Sequence, residues 1–212
     1  MVHQSLVLFA ILFSGLCLAQ DERYYRQMLT GELPHLSTDI KEVAVTPISL
    51  DGPNYNFDLN GDGIEERLQP IKRDGVDWLI ISDSSQRKIF EAKLLAMGGE
   101  SHIYKLKLVH LSEKYKSLIV FLDEGHTAGK QFESTGKLYV LSFDNNDLST
   151  LSLSPGPHFF HEKESAREQY LRRGYQVSVA DLNGDGVREI TVHYNHIQRI
   201  LEYQGKGEWK RY

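Results

Sequence analysis

The stretch Asp58-Leu59-Asn60-Gly61-Asp62-Gly63-Ile64-Glu65-Glu66 occurs a second time as Asp181-Leu182-Asn183-Gly184-Asp185-Gly186-Val187-Arg188-Glu189. Each copy has oxygen-bearing side chains at its first, third, fifth and ninth positions and a glycine at its sixth. Calcium takes about six to eight oxygen ligands, so carboxylates must converge from a tightly coiled backbone, and glycine allows the positive φ that such a coil requires. The repeated pattern therefore predicts two calcium-binding loops, one in each half of the chain.

The predicted ligands are side-chain oxygens, completed by the backbone carbonyl of the seventh loop position. They are Asp58, Asn60, Asp62, Ile64 and Glu66 in the first loop, and Asp181, Asn183, Asp185, Val187 and Glu189 in the second. The twelfth positions, Gln69 and Val192, argue against a helix–loop–helix site, which closes with a bidentate glutamate there. Leu59 and Leu182, with Ile64 and Val187, are predicted to point into the core. A metal-free acidic turn held by Asx-type hydrogen bonds is the alternative.

Short runs of alternating apolar residues, separated by Gly, Asn, Asp and Ser, predict an all-β fold of about three antiparallel four-stranded units. The units are 55–58, 66–72, 77–81 and 87–94; 103–111, 117–122, 137–143 and 148–153; and 175–180, 189–194, 197–203 and 208–212. The two acidic loops start 123 residues apart (181 − 58), which is three periods of about 41 residues, a spacing typical of propeller blades. The middle unit has Ser112-Glu113-Lys114-Tyr115 in place of an acidic loop.

Three segments lie outside the predicted strands. Residues 1–19 are typical of a secretory signal peptide because an apolar run from Leu6 to Phe13 precedes small residues near Ala19. Residues 20–48 form an N-terminal arm with a predicted short helix at 21–33, ahead of a single domain at 49–212. Residues 155–174 are predicted to be an insertion: Pro155-Gly156-Pro157 breaks the sheet, and the charged residues 162–173 form an exposed helix or a mobile loop.

The strand ending in Asp, followed by Asn-Gly-Asp-Gly and a second apolar strand, resembles the FG-GAP/VCBS repeats of integrin-type β-propellers. The resemblance covers the first and third units well and the second only by its strand pattern. It implies propeller-like blades with calcium between the first two strands of a blade, in a protein that binds other macromolecules. Since propellers normally close with about four to eight blades, three blades imply an open or distorted stack, oligomerisation, or another β-sandwich.

Composition narrows the possible functions further. The net charge of −5 and the absence of a Lys/Arg cluster argue against a nucleic-acid partner. Cys17 is the only cysteine, so cleavage after Ala19 leaves no disulfide, thiol nucleophile or thiolate metal site. No long apolar segment follows the signal, so we expect no membrane span and a secreted or periplasmic location. Trp78 and Trp209 are predicted to pack between sheets, and Tyr24, Tyr25 and Tyr170 either pack or form a recognition face.

Histidines and carboxylates offer weaker candidate sites. His158 with His161, and His193 with His196, have a spacing that holds zinc on a helix, although on a strand such residues face opposite ways. Asp123, Glu124 and His126 are predicted to lie in a loop and offer groups for general acid–base chemistry.

Together these features predict an exported calcium-binding β-propeller-like module that binds a protein or glycan partner, with calcium in a structural role and homo-oligomerisation open. The alternative functions are a secreted hydrolase, or an accessory or inhibitor protein, that uses the 123–130 or 158–173 loops.

Overall fold

The computed structural model describes residues 46–47, 54–98, 100–127, 132–164 and 170–212, and in these ranges the fold is all-β. One short 3-10 helix, Leu148–Thr150, interrupts the strands. The strands are β1 Thr46–Pro47, β2 Tyr55–Phe57, β3 Glu66–Arg73, β4 Val76–Ser82, β5 Lys88–Leu94, β6 His102–His110, β7 Tyr115–His126, β8 Glu133–Asp144, β9 Ser152–Glu164, β10 Tyr170–Gly174, β11 Gln176–Ala180, β12 Glu189–Tyr194, β13 Ile197–Gly205 and β14 Glu208–Arg211.

The strands form three antiparallel sheets that follow one another along the chain. The first sheet has the order β2-β3-β4-β5, the central sheet β1-β6-β7-β8-β9-β10, and the third sheet β11-β12-β13-β14. Each sheet is built by successive hairpins, so every strand except β1 lies beside its neighbour in sequence. The first and third predicted units match the two four-stranded sheets, because alternating apolar residues and turn residues are local signals. The middle unit is wrong in its strand count: the central sheet has six strands, and the predicted strand 148–153 is a 3-10 helix followed by the start of β9.

Two strands of the central sheet bury side chains on both faces. Residues 117–122 of β7 and 138–143 of β8 are buried without a break. Leu118, Val120 and Leu122 pack with side chains of the first sheet, such as Leu79 and Ile81. The intervening side chains of β7 point to the opposite face, because successive residues of a strand alternate. The central sheet is therefore the middle layer of a three-layer sandwich.

The opposite face of the central sheet packs against the third sheet. Ile119 and Phe121 of β7 form one apolar cluster with Ile190, Val192 and Leu201. Within the described residues, the two larger buried cores are thus separated by the thickness of a single sheet, and a smaller buried cluster of Ala180, Leu182 and Ile200 lies at the third sheet.

Polar contacts fix the outer layers to the middle one. The Trp209 indole N–H donates to the buried hydroxyl of Ser142 at 2.9 Å, and the Tyr203 hydroxyl donates to Asp144. On the side of the first sheet, the Tyr139 hydroxyl accepts from the N–H of Leu95 at 2.8 Å and donates to its carbonyl at 3.0 Å. In these contacts each polar group is paired, which keeps the cost of removing it from water low.

The predicted insertion at 155–174 is wrong where the structure describes it: residues 155–164 and 170–174 belong to the central sheet. Pro155-Gly156-Pro157 lies inside β9, and the following charged residues continue β9 and form β10. The prolines are tolerated because β10 pairs only with residues 160–164 of β9, so the earlier part of β9 has β8 on one side only. Glycine suits position 156 because a Cβ there would lie 3.0 Å from the Cβ of Leu138, so Leu138 would have to shift to make room for a side chain.

The two tryptophans differ from each other. Trp209 packs against the second core as predicted. Trp78 does not: it alternates with the buried Leu79 and Ile81, and the Arg73 guanidinium lies 5.6 Å from its ring centre. The prediction that Trp78 packs between sheets is wrong.

The predicted signal peptide at 1–19, the helix at 21–33 with Tyr24 and Tyr25, and the side chain of Tyr170 lie outside the described residues; of the predicted arm 20–48, the structure describes only 46–47. In the part of the chain that is described, the structure has no helix with the length and apolar character needed to span a membrane.

Substitutions on either face of β7 should destabilise the fold by similar amounts. Leu118→Ala and Ile119→Ala each remove a fully buried side chain from a different core, so we expect each to lower the free energy of unfolding by about 2–5 kcal/mol. Chemical denaturation measures the change. Leu95→Ala, at an exposed leucine, is the control and should cost less than about 0.5 kcal/mol. A small effect at only one of the two buried positions would contradict the two-faced core.

Candidate functional site: two acidic loops and a buried glutamate

Each acidic loop joins the first and second strands of an outer sheet. Residues 58–65 connect β2 to β3, and residues 181–188 connect β11 to β12. Gly61 and Gly63 have φ values of +82° and +84°, and Gly184 and Gly186 have +78° and +85°. Side chains with a Cβ rarely adopt this conformation, so the backbone path explains glycine at the fourth and sixth positions of both loops.

The first aspartate of the first loop holds the backbone coil together. Its carboxylate oxygens accept hydrogen bonds from the N–H groups of Gly61 at 2.6 Å, Asp62 at 3.1 Å and Gly63 at 2.9 Å. Asp62 in turn accepts from the N–H of Ile64 at 2.7 Å. The pKa of Asp62 is lowered by the side chain of Asn60 and then by this N–H, so Asp62 stays ionised in mildly acidic solution.

The second loop repeats this arrangement 123 residues later. Asp181 accepts from Gly184 at 2.7 Å and from Gly186 at 3.1 Å, and Asp185 accepts from Val187 at 2.7 Å. The bonds donated by the fourth, sixth and seventh loop positions are the same in both loops, so the shared residues account for the common loop conformation although the surrounding sheets differ.

The ninth-position glutamate closes each loop from inside the protein. Glu66 and Glu189 are only 3% and 1% exposed, and each accepts a hydrogen bond from the N–H of the second loop residue, at 2.8 Å in the first loop and 2.7 Å in the second. Burial raises the pKa of Glu66; the Leu59 N–H opposes this, and the nearby charges of Asp62 and Asp58 add to it. Glu66 is therefore a buried carboxylate crowded by two others.

The donor set has the chemistry of a calcium site. Every side chain at positions one, three, five and nine carries oxygen, and hard cations prefer oxygen ligands. A divalent cation would also relieve the repulsion around Glu66. In the described residues, however, no group of three or more His, Cys, Asp or Glu side chains converges as a metal site would require. The loop oxygens accept hydrogen bonds from the loop backbone instead, as in an acidic Asx-type turn.

The hydrophobic loop positions follow the prediction in part. Leu59 and Leu182 are buried, and Val187 packs against the second core. Ile64 is 52% exposed, so the prediction that it points into the core is wrong. The two loops thus share their polar residues but differ at the seventh position: Val187 packs against apolar side chains, whereas Ile64 is exposed.

Both loops contact the central sheet where the turn joins β6 to β7. The Lys116 ammonium donates to the carbonyl of Asn60 at 2.9 Å. In the second loop, the backbone N–H of Arg188 donates to the carbonyl of Leu111 at 2.8 Å, and the Arg188 guanidinium donates to the carbonyl of His110 at 2.9 Å. Burial lowers the pKa of His110, and the charges of Lys116 and Arg188 lower it further. The acidic loops thus flank the middle turn at one end of the sandwich.

The turn between β6 and β7 occupies the position that the acidic loops have in the outer sheets. In this turn the Ser112 hydroxyl accepts from the N–H groups of Lys114 and Tyr115, both at 3.2 Å. A hydroxyl therefore takes the organising role that a carboxylate has in the outer loops.

A cavity of about 700 Å³ opens beside the first loop. Its walls combine residues of the first loop with the turn between β4 and β5, the start of β5 and the segment that follows β8. Both signs of charge are present: Asp62, Glu66, Asp83, Arg87, Lys88 and Asp147. Glu66 is thus close to a surface opening, although its own side chain is buried.

A second carboxylate is buried at the other end of β7. Asp123, Glu124 and His126 were predicted to lie in a loop, but they belong to β7, and Glu124 is only 1% exposed. The Thr135 hydroxyl donates to Glu124 Oε2 at 2.8 Å, and His158 Nε2 lies 3.0 Å from the same oxygen, in an ion-pair contact without hydrogen-bond alignment. Glu124 Oε1 has no hydrogen-bond partner.

The charges around Glu124 keep it ionised. Burial alone would raise the pKa of Glu124, but the contacts with His158 and Thr135 and the nearby charge of Lys137 outweigh burial, and the pKa lies below its ordinary value. Sequence reasoning missed this pair because 34 residues (158 − 124) separate its members and only the pairing of β7, β8 and β9 joins them.

The histidine pairs do not lie on a helix, the arrangement in which their spacing could hold zinc. His161 Nε2 lies 3.0 Å from Glu133 Oε1, while His158 contacts Glu124, so each histidine has its own carboxylate. His193 lies on β12 and His196 in the following turn. The described ranges contain no three-residue metal cluster that includes these side chains.

Comparison of the chain with protein-family models, with curated proteins and with solved structures finds no match.

The ionised state of Glu124 should make stability depend on pH. Because its pKa is lower in the folded state, Glu124 contributes stability above its unfolded pKa, and this contribution is lost as the pH falls through the folded pKa. We expect Glu124→Gln to lower the free energy of unfolding at pH 7 by about 1–3 kcal/mol, with a smaller difference from the wild type at low pH.

Denaturant titrations at several pH values measure this difference. Glu113→Gln, at an exposed glutamate in the turn before β7, is the matched control and should follow the wild-type profile. If the gap between Glu124→Gln and wild type stays constant from pH 7 to low pH, the folded-state charge on Glu124 is not stabilising.

Proposed function

We propose that this chain is an exported, calcium-binding module of the FG-GAP/VCBS type, whose propeller-like blades present a binding surface to a macromolecular partner. The observation that carries the proposal is the identity of the two loops: the same nine-residue pattern gives the same hydrogen-bonded coil and the same buried ninth glutamate in two different sheets. Calcium has a structural role, and the chain is a binding protein rather than an enzyme.

The position of each loop supports a structural role for the ion. The residues that would hold it are those of positions one, three, five, seven and nine. Each loop connects the first two strands of an outer sheet. The first loop contacts the central sheet through Lys116 of β7, and the second through its own Arg188. An ion would supply positive charge to carboxylates that repel one another, so it would stabilise the loop and its docking together.

The arrangement of the sheets supports the blade interpretation. Three hairpin-built sheets are stacked face to face in chain order, and the acidic loop lies between the first two strands of the outer sheets. Since a propeller normally closes with about four to eight blades, we favour an open stack of three blades over a closed ring.

Burial favours binding over hydrolysis. Glu124, the strongest candidate for an acid or base, is almost entirely buried, and its neighbour Asp123 points to the other face of the sheet. A general base must come within hydrogen-bonding distance of its substrate, which Glu124 cannot do in this conformation.

Calcium should raise the thermal stability of the protein. At a tenfold to hundredfold excess over the dissociation constant, each site would contribute about 1.4–2.7 kcal/mol to the free energy of unfolding. For a chain of this size each kcal/mol corresponds to about 2–4 °C in melting temperature. Calorimetry in calcium and in chelator measures the shift. Superimposable curves at millimolar calcium would leave the loops as metal-free acidic turns.

Substitution of the ninth glutamate should separate the two sites. Glu66→Gln keeps an oxygen that can accept from Leu59 N–H but removes the charge, so we expect it to abolish about half of the calcium-induced shift; Glu189→Gln should do the same for the second loop. The matched control is Glu65→Gln, the exposed neighbouring glutamate, which should keep the full shift. Equal shifts in Glu65→Gln and Glu66→Gln would refute the ligand assignment.

A further inference from the structure

The long strands of the central sheet leave part of one face uncovered. Strands β7, β8 and β9 have 12, 12 and 13 residues, whereas the strands of the third sheet have 5, 6, 9 and 4. Since each residue adds about 3.3 Å, the third sheet cannot extend along the whole face. The uncovered end begins at Phe121, a member of the second core whose ring meets Phe159 edge-on at 5.1 Å.

A cavity of about 260 Å³ lies at this end. It is lined by Tyr104, Asp123, Gly136, Phe159, Phe160 and Arg172, which come from β6, β7, β8, β9 and β10. We call it the aromatic cavity. It is separate from both acidic loops, because none of their residues contributes to its lining.

A glycine makes the aromatic wall possible. A Cβ at Gly136 would lie 2.7 Å from Cζ of Phe159, which is closer than real Cβ contacts. The absence of a side chain at Gly136 therefore lets the Phe159 ring lie against β8. Tyr104 stacks beside this ring with centres 6.3 Å apart and planes 22° apart, and Tyr104 remains 58% exposed. Two aligned rings thus form one wall that solvent can reach.

The polar groups of the cavity have opposite charges. Asp123 carries only acceptors, and one of its oxygens accepts from the N–H of Gly125 at 2.8 Å. Arg172 carries only donors, and its guanidinium lies 5.4 Å from the ring centre of Phe160. An anionic ligand would be repelled by Asp123 and a cationic one by Arg172, so the pair favours an uncharged ligand with both donors and acceptors.

We propose that the aromatic cavity binds a neutral sugar ring. A sugar has an apolar C–H face that suits the electron-rich face of an aromatic side chain, and hydroxyls that can donate to Asp123 and accept from Arg172. The cavity is slightly smaller than those that hold drug-sized ligands, which begin at about 300 Å³, so one ring fills it. This inference rests on the proposed binding function and assigns it a ligand class: carbohydrate.

The test uses the purified full chain in calcium and a panel of neutral oligosaccharides, acidic oligosaccharides and aromatic-rich peptides. We expect binding of at least one neutral oligosaccharide, measured by calorimetry and by saturation-transfer NMR. Tyr104→Ala should weaken this binding about tenfold or more, since it removes half of the aromatic wall. Asp123→Ala should also weaken it, since it removes the acceptor.

Leu171→Ala, an exposed neighbour of Arg172 that does not line the cavity, is the matched control and should bind as the wild type does. Unchanged melting curves for all three variants show that loss of binding is not loss of fold. The inference is overturned if no neutral oligosaccharide binds at millimolar concentration, if only acidic oligosaccharides or peptides bind, or if Tyr104→Ala binds equally well.

The same samples distinguish this failure from failure of the proposed function. A calcium-dependent melting shift without sugar binding leaves the calcium module and rejects the cavity assignment. The opposite result is sugar binding that Tyr104→Ala weakens, in a protein whose melting curve does not change with calcium. It supports the cavity assignment and rejects the calcium loops.

Discussion

Burial of β7 and β8 on both faces is the constraint on which the rest of the structure depends. A strand that is buried on one face needs one other layer packed against it. Residues 117–122 of β7 and 138–143 of β8 are buried on both faces, so they need two. The first sheet covers one face of the central sheet and the third sheet covers the other. The three layers therefore follow one another in the same order as in the sequence. The outer sheets are therefore held apart by one sheet, and the loops at their ends come to lie on either side of the turn between β6 and β7.

This arrangement explains why the two acidic loops converge on one end of the molecule. Each begins after the first strand of an outer sheet, and each meets the central turn, through Lys116 on one side and Arg188 on the other. The opposite end of the central sheet has a different character. There the long strands pass beyond the third sheet, and they carry the buried Glu124 on one face and the aromatic cavity on the other. The proposed structural ions and the proposed ligand surface thus occupy opposite ends of the same strands.

The sequence predicts the hairpin units well because their signals are local: alternating side chains, and Gly, Asn and Asp at turns. It fails where the outcome depends on a neighbouring strand. The sequence Pro155-Gly156-Pro157 is typical of a strand end, yet β9 continues through it. The prolines lie where β9 has no second neighbouring strand, and Gly156 lies close to Leu138. Trp78 looks like a core residue, yet the alternation of β4 places it beside Arg73.

The candidate sites show the same division. The coils of the acidic loops follow from nine consecutive residues and could be predicted. The contact between Glu124 and His158 and the lining of the aromatic cavity could not be predicted, because strand pairing brings together residues far apart in the chain.

The central claim is that the two matched loops bind calcium, and counting the bound ions tests it most directly. Native mass spectrometry of the purified chain in millimolar calcium should show two calcium ions per chain. A chain that binds none under these conditions would contradict the account.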